Sequence, residues 1–267
     1  MDNNKSSSGV VMVYSKDWTH TSALKALGES ICSTGVTIAA PNDIDEFVEK
    51  ASVLQPIFIV LDLPPRNSVA LIYTLRKQCL DTVLVLTQEC FLFSDRIVGE
   101  YFSGVILKNY DSFMRAPLLL LDEVRNFSHA LKENRYAVYP YENSYGISDV
   151  LVSITQLIHA RFTQLIDSPR AKKIVLEWLV RGFEPKAIAQ ILGCSSKVVY
   201  HYRLVAMKVL GIRNRNRDFI ASLVVSPGPF STNNSFSYPV CNVPPVYTVG
   251  EVDTVSEPRL SLEHKCV

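Results

Sequence analysis

From Val10 to about Ala130 the chain alternates between short β-rich apolar runs and stretches of helical periodicity. "VVMVYS" (10–15) precedes an amphipathic stretch from about Thr19 to Thr34. "VTIAA" (36–40) is strand-like, and "DIDEFVEKAS" reads as helix. "IFIVLDL" (57–63) is almost continuously apolar, the pattern of a strand buried on both faces. Helical spacing follows over Val69–Gln78, then strand "TVLVLT" (82–87), a weaker helical segment near 94–102 and strand "GVILK" (104–108). A last helix starts at about Asp111 or Pro117 and reaches Lys132. Five strands alternating with helices predict an α/β domain over 10–132, a doubly wound parallel five-stranded sheet covered on both faces.

The pattern then changes. Residues 133–155 are aromatic, punctuated by Pro and Gly, and read as an irregular connection. Helical periodicity over 156–225 predicts an all-α, four-helix domain. Ser168-Pro169 is a helix start with Ser as N-cap, and Ile174, Val175, Trp178 and Leu179 form an apolar face that ends at Gly182. Pro185 opens a second helix with Ala187, Ile188, Ile191 and Leu192 inward. Gly193 turns the chain, and Ser195 or Ser196 caps a third helix closed by Gly211. Asn214 can cap a fourth. Residues 1–9 and the Pro-, Ser- and Asn-rich stretch 226–267 show no periodicity and are expected to be disordered.

Charge sharpens the division. The whole chain carries a formal +1, yet Ser168–Arg217 holds eleven Lys or Arg against two acids. That segment is therefore +9 and the remainder −8, the asymmetry expected of a nucleic-acid-binding module. Six scattered cysteines without a C-x-x-C pair read as reduced thiols, and no apolar stretch is long enough to span a bilayer, so a cytoplasmic protein without membrane contact is expected. Isolated histidines, His20 among them, show no metal-ligand spacing. No nucleophile–base pair appears, so no catalytic residue, metal or cofactor is expected.

On the third helix, Val198, Tyr202, Val205 and Val209 carry the spacing of a buried stripe, with Val199 and Ala206 beside it. Lys197, His201, Leu204 and Lys208 carry the same spacing on another face, flanked by Tyr200 and Arg203. A basic face on a helix that begins at a tight Gly turn suits the major groove of duplex DNA. The segment from about 168 to 222, "VLEWLVRGFEPKAIAQILGCSSKVVYHY" with "KVLGIRNR", resembles the LuxR/FixJ-type helix-turn-helix. Val175, Leu176, Gly182, Ile188, Ala189, Leu192, Ser195, Val199, Leu210, Gly211, Asn214 and Arg215 fall on its pattern. The early acid of that pattern is replaced over 171–173, its Thr is Val198, and Arg203 stands where an apolar residue is common. The resemblance implies a sequence-specific transcription regulator, with Ser195, Ser196, Lys197, Tyr200, His201, Leu204, Lys208, Lys186 and Arg215 as candidate DNA contacts.

The first half, with "IFIVLDLPP" as its third strand, resembles a response-regulator receiver domain. In that family an Asp ending strand three accepts a phosphoryl group, which maps to Asp62. The Thr or Ser ending strand four maps to Thr87, and the Lys ending strand five to Lys108. The two acids that hold Mg²⁺ at the end of strand one are replaced by Ser15 and Lys16, with Asp17 one place on. Without those carboxylates Mg²⁺ lacks its hard-oxygen ligands, so a non-switching Asp62, bracketed by ion pairs from Lys16 and Lys108, is expected. The combination resembles RcsA- and BglJ-like regulators, which implies a nucleoid-associated homodimer or heterodimer with a response regulator. An ordinary regulator phosphorylated at Asp62 and a ligand- or protein-sensing one are the alternatives.

Overall fold

The computed structural model describes residues 9–31, 36–41, 43–115, 117–133, 146–212 and 216–228. Five parallel strands, β1 (Val10–Ser15), β2 (Thr37–Ala39), β3 (Phe58–Asp62), β4 (Val83–Gln88) and β5 (Val105–Asn109), form a sheet in the order β2-β1-β3-β4-β5. The period-two alternation of each strand divides the core. Met12, Tyr14, Ile59, Leu61, Leu84 and Leu86 pack with α2 (Ile44–Leu54), α3 (Val69–Gln78) and α4 (Phe93–Tyr101). Val11, Val13, Phe58, Val60, Val83 and Val85 pack on the opposite side with α1 (Trp18–Ile31), α5 (Tyr110–Arg115) and α6 (Pro117–Glu133). The helix expected from Asp111 or Pro117 is thus two helices, the second starting at Pro117.

Register places Ser15 opposite Asp62, and Thr87 opposite Lys108, at the carboxyl end of the sheet. In doubly wound folds that end is where ligands bind. At the other end, the buried Arg76 guanidinium donates to the carbonyls of Cys79, Leu80 and Thr82 and so holds the turn from α3 into β4.

Two boundaries differ from the sequence reading. Helix α7 (Ile147–Leu165) begins inside the stretch expected to be irregular. Its stripe Val150, Ile154, Ile158 and Phe162 is buried, and the helix packs on α4 and α3. Residues 226–228, expected to start a disordered tail, lie against the sheet domain. The helical part continues through α8 (Pro169–Lys173), a wider π-helical turn (Ile174–Leu179), α9 (Pro185–Ile191), α10 (Ser196–Val209) and α11 (Asn216–Ala221). Its buried side chains join those of the α2–α3–α4 side in one continuous core. Most of residues 133–145, all of 1–8 and 229–267, and the Asn214 cap lie outside the described residues.

Candidate nucleic-acid interface and the Asp62 cluster

The turn between α9 and α10 is built from two local devices. Gly193 has φ +59°, a left-handed conformation that other residues reach only with strain. It lets Cys194 N–H donate to the Ala189 carbonyl (2.9 Å) and Gly193 N–H to that of Gln190 (3.4 Å), satisfying carbonyls that the end of α9 leaves open. Ser195 then caps α10, its hydroxyl accepting from Lys197 N–H at 3.3 Å.

Beyond that cap, Lys197, Tyr200, His201, Leu204 and Lys208 are all exposed and share one face of α10, and Lys186 is exposed on α9. Leu204 is 63% and Tyr200 45% exposed, apolar surface left in water between cations. Ser196 is half-buried. Arg215 lies outside the described residues.

The buried side of α10 differs from the expected stripe. Val199, Ala206 and Met207 are buried, whereas Val198, Tyr202 and Val205 are only partly so and Val209 is 37% exposed. On α9, Ile188 and Ala189 are buried but Ile191 is exposed. One flank of the expected α10 stripe carries Arg203. Its guanidinium lies over the Phe219 ring of α11 at 5.6 Å, on the flank where an apolar residue was the expectation. Val199 and Ala206, which stand beside that stripe in the sequence, meet the core together with Met207.

At the sheet's carboxyl end Asp62 is buried and both of its oxygens are occupied. Ser15 Oγ donates to Oδ2 at 2.7 Å, and His20 Nδ1 lies 2.7 Å from the same oxygen. A carboxylate only accepts, so Nδ1 carries the proton. Gln88 Nε2 donates to Oδ1 at 3.2 Å, and the Tyr110 hydroxyl donates to Oδ1 in a short contact. Burial, followed by that hydrogen bond, pushes the Tyr110 phenol well above the ordinary tyrosine range. Asp17 stands outside the cluster; its bonds to Thr19 hold its carboxyl below the usual range.

The expected bracketing by lysines is not observed. Lys108 pairs with Glu123 of α6 at 2.5 Å, and Lys16 is exposed with none of the hydrogen bonds to Asp62. A flexible lysine finds a better partner in a half-exposed glutamate than in a carboxylate whose two oxygens are already taken by Ser15, His20, Gln88 and Tyr110. Thr87 is fully buried and its hydroxyl has no hydrogen-bond partner in the structure. His20, Gln88 and Tyr110 escaped the sequence reading because each comes from a different βα connection, with no spacing to link them.

The fold is therefore a receiver-like doubly wound sheet followed by a helical domain that carries a helix-turn-helix. Residues 168–218 match the family described as bacterial regulatory proteins, luxR family, and form a LuxR-type helix-turn-helix domain. No curated protein matches the chain. Among solved structures the chain is similar to the two-component response regulator RcsB in complex with DNA, at 15% identity over 81% of this chain and 99% of that one, with TM-score 0.51. A structure of two RcsB dimers bound to two parallel DNAs is similar at 15% identity with the same coverage and TM-score 0.50. At that identity the likeness establishes the fold. Among the described residues no helix is long and apolar enough to cross a membrane.

Proposed function

We propose that this chain is a sequence-specific DNA-binding transcription regulator that does not use Asp62 as a phosphoryl switch. The observation that carries the reading is the exposed row Lys197, Tyr200, His201, Leu204 and Lys208 on α10, behind a capped turn in a segment of net charge +9. A helix presented this way enters the major groove with its N-terminal side chains at base edges, while flanking cations such as Lys186 meet phosphate. Ser195 and Ser196 sit at the helix start, where backbone N–H groups favour a phosphate oxygen.

The residues around Asp62 do not fit Mg²⁺. Ser15 takes the place of an acid and spends its hydroxyl on Asp62, and Lys16 would repel a cation. Both carboxylate oxygens are occupied by hydrogen-bond donors that an incoming phosphoryl group would have to displace. An ordinary response regulator is therefore disfavoured, and no catalytic role is assigned.

A single helix of this size reads only a few base pairs, so useful affinity calls for two half-sites. The protein acts as a homodimer, or pairs with a response regulator, on chromosomal DNA in the cytoplasm. Selection of duplexes from a random pool by the full-length protein tests this. Enrichment of a defined sequence is expected, and Lys197→Ala with His201→Ala reduces preference for it more than binding to random DNA. Failure to enrich any sequence contradicts the proposal.

A further inference from the structure

The chain leaving α11 returns to the receiver-like module. Phe219, Ser222, Leu223 and Val225 are buried, and four hydrogen bonds tie the segment to that module, one of them from the Ser226 hydroxyl to the Asn67 side-chain oxygen at 3.4 Å. Ser94 Oγ, on the second residue of α4, donates to the Ala221 carbonyl at 2.6 Å. Ser226 N–H donates to the Arg66 carbonyl at 2.8 Å, and Ala70 N–H donates to the Pro227 carbonyl at 3.0 Å.

Two of these bonds settle helix ends. Ala70 is the second residue of α3, and an N–H there has no partner within its own helix. The Ala221 carbonyl, at the end of α11, lacks one for the same reason. Each element thus supplies what the other's terminus needs. Gly228 completes the fit. Its φ is +88°, and a Cβ there would stand 2.2 Å from the Asn67 carbonyl oxygen.

The surface that receives this segment is the loop leaving Asp62, and it is held from behind. Asp95 of α4 is wholly buried and accepts from Arg66 N–H (2.9 Å), the Arg66 guanidinium (2.5 Å) and Leu92 N–H (2.9 Å). The 65–68 stretch is therefore fixed between Asp95 on one side and residues 226–228 on the other.

We propose that residues 221–228 are an intramolecular clamp that fixes helices α8–α11 on the receiver-like module and leaves the exposed face of α10 uncovered. Modules joined within one chain move relative to each other unless their interface is large and apolar. Here α7 supplies the apolar part of the interface, and the clamp removes the remaining freedom about residues 166–168. The arrangement of the two modules is then a property of the sequence after α11 rather than of chemistry at Asp62. The clamp does not depend on the DNA-binding reading; only its consequence for an open α10 face does.

The test uses the full chain. Amide exchange at Ala70 reports the Pro227 contact directly, and ¹⁵N relaxation reports whether α8–α11 tumbles with the sheet. In the wild type a protected Ala70 amide and one shared correlation time are expected. Gly228→Val, which drives a side chain into the Asn67 carbonyl, is expected to speed Ala70 exchange at least about tenfold and to give α8–α11 faster motion of its own. Ser94→Ala removes only a hydroxyl and shifts both readouts the same way by less, which covers a Gly228→Val protein that does not fold. An unprotected Ala70 amide or independent tumbling of α8–α11 in the wild type overturns the clamp. So does a folded variant with both readouts unchanged. Sequence-specific DNA binding can fail while these readouts hold, so the two proposals are separable.

Discussion

His20 Nδ1 stands 2.7 Å from Asp62 Oδ2, joining the first turn of α1 to the end of β3. With Ser15, Gln88 and Tyr110 it makes the Asp62 carboxylate a junction for the first, fourth and fifth strand ends. Hydrogen bonds to a charged group contribute more than neutral ones, and donors stripped of their acceptor inside the protein cost more still. Asp62→Ala is therefore expected to lower unfolding free energy by about 3 kcal/mol. Asp62→Asn, which keeps one acceptor oxygen, costs about 1 kcal/mol. Denaturant unfolding of the full-length proteins checks both, and a neutral Asp62→Ala would show that the junction contributes nothing.

Tyr110 gives that junction a pH signature. Its folded phenol titrates above the ordinary value because burial and the bond to Asp62 favour the neutral form. The unfolded phenol ionises near about pH 10, so the stabilisation is intact below that pH and is lost as pH rises toward the folded value. Ultraviolet titration of phenolate absorbance is expected to show a late-ionising tyrosine that Tyr110→Phe removes. Tyr14, also raised by burial, remains late in both proteins. Tyr110→Phe also flattens the alkaline loss of stability; identical titration curves would contradict the assignment.

Strand periodicity was enough to read the sheet, because an apolar run such as 57–63 buried on both faces has no other stable use. The Gly193–Ser195 turn was equally legible, since both residue types answer a backbone demand made within a few positions. The Asp62 surroundings were not. Strand ends converge only in the folded sheet, and a lysine at a matching position says nothing about the nearby Glu123 that captures it. The contact of Arg203 with Phe219 was hidden for a similar reason, because its partner ring lies on another helix.

Arg66, partly buried, and Asp95, wholly buried, form an ion pair beside the Asp62 loop. Removing one member of a buried pair strands the other's charge. Arg66→Ala is expected to cost about 3 kcal/mol in unfolding free energy, although Asp95 keeps two backbone donors. Asp95→Asn with Arg66→Met, which removes both charges, should recover a good part of that loss. Thermal unfolding of the single and double variants decides it, and additive losses would show that the two side chains are not coupled.

DNA binding through α10 is proposed to need no phosphoryl transfer to Asp62. The most direct test incubates the full-length protein with Mg²⁺ and a small phosphodonor, then measures intact mass and affinity for the selected duplex, beside Asp62→Asn. Unchanged mass, unchanged affinity, and an Asp62→Asn protein that binds within about twofold of wild type once folded are expected. Stoichiometric phosphate on Asp62, with a rise in affinity that Asp62→Asn abolishes, would contradict it.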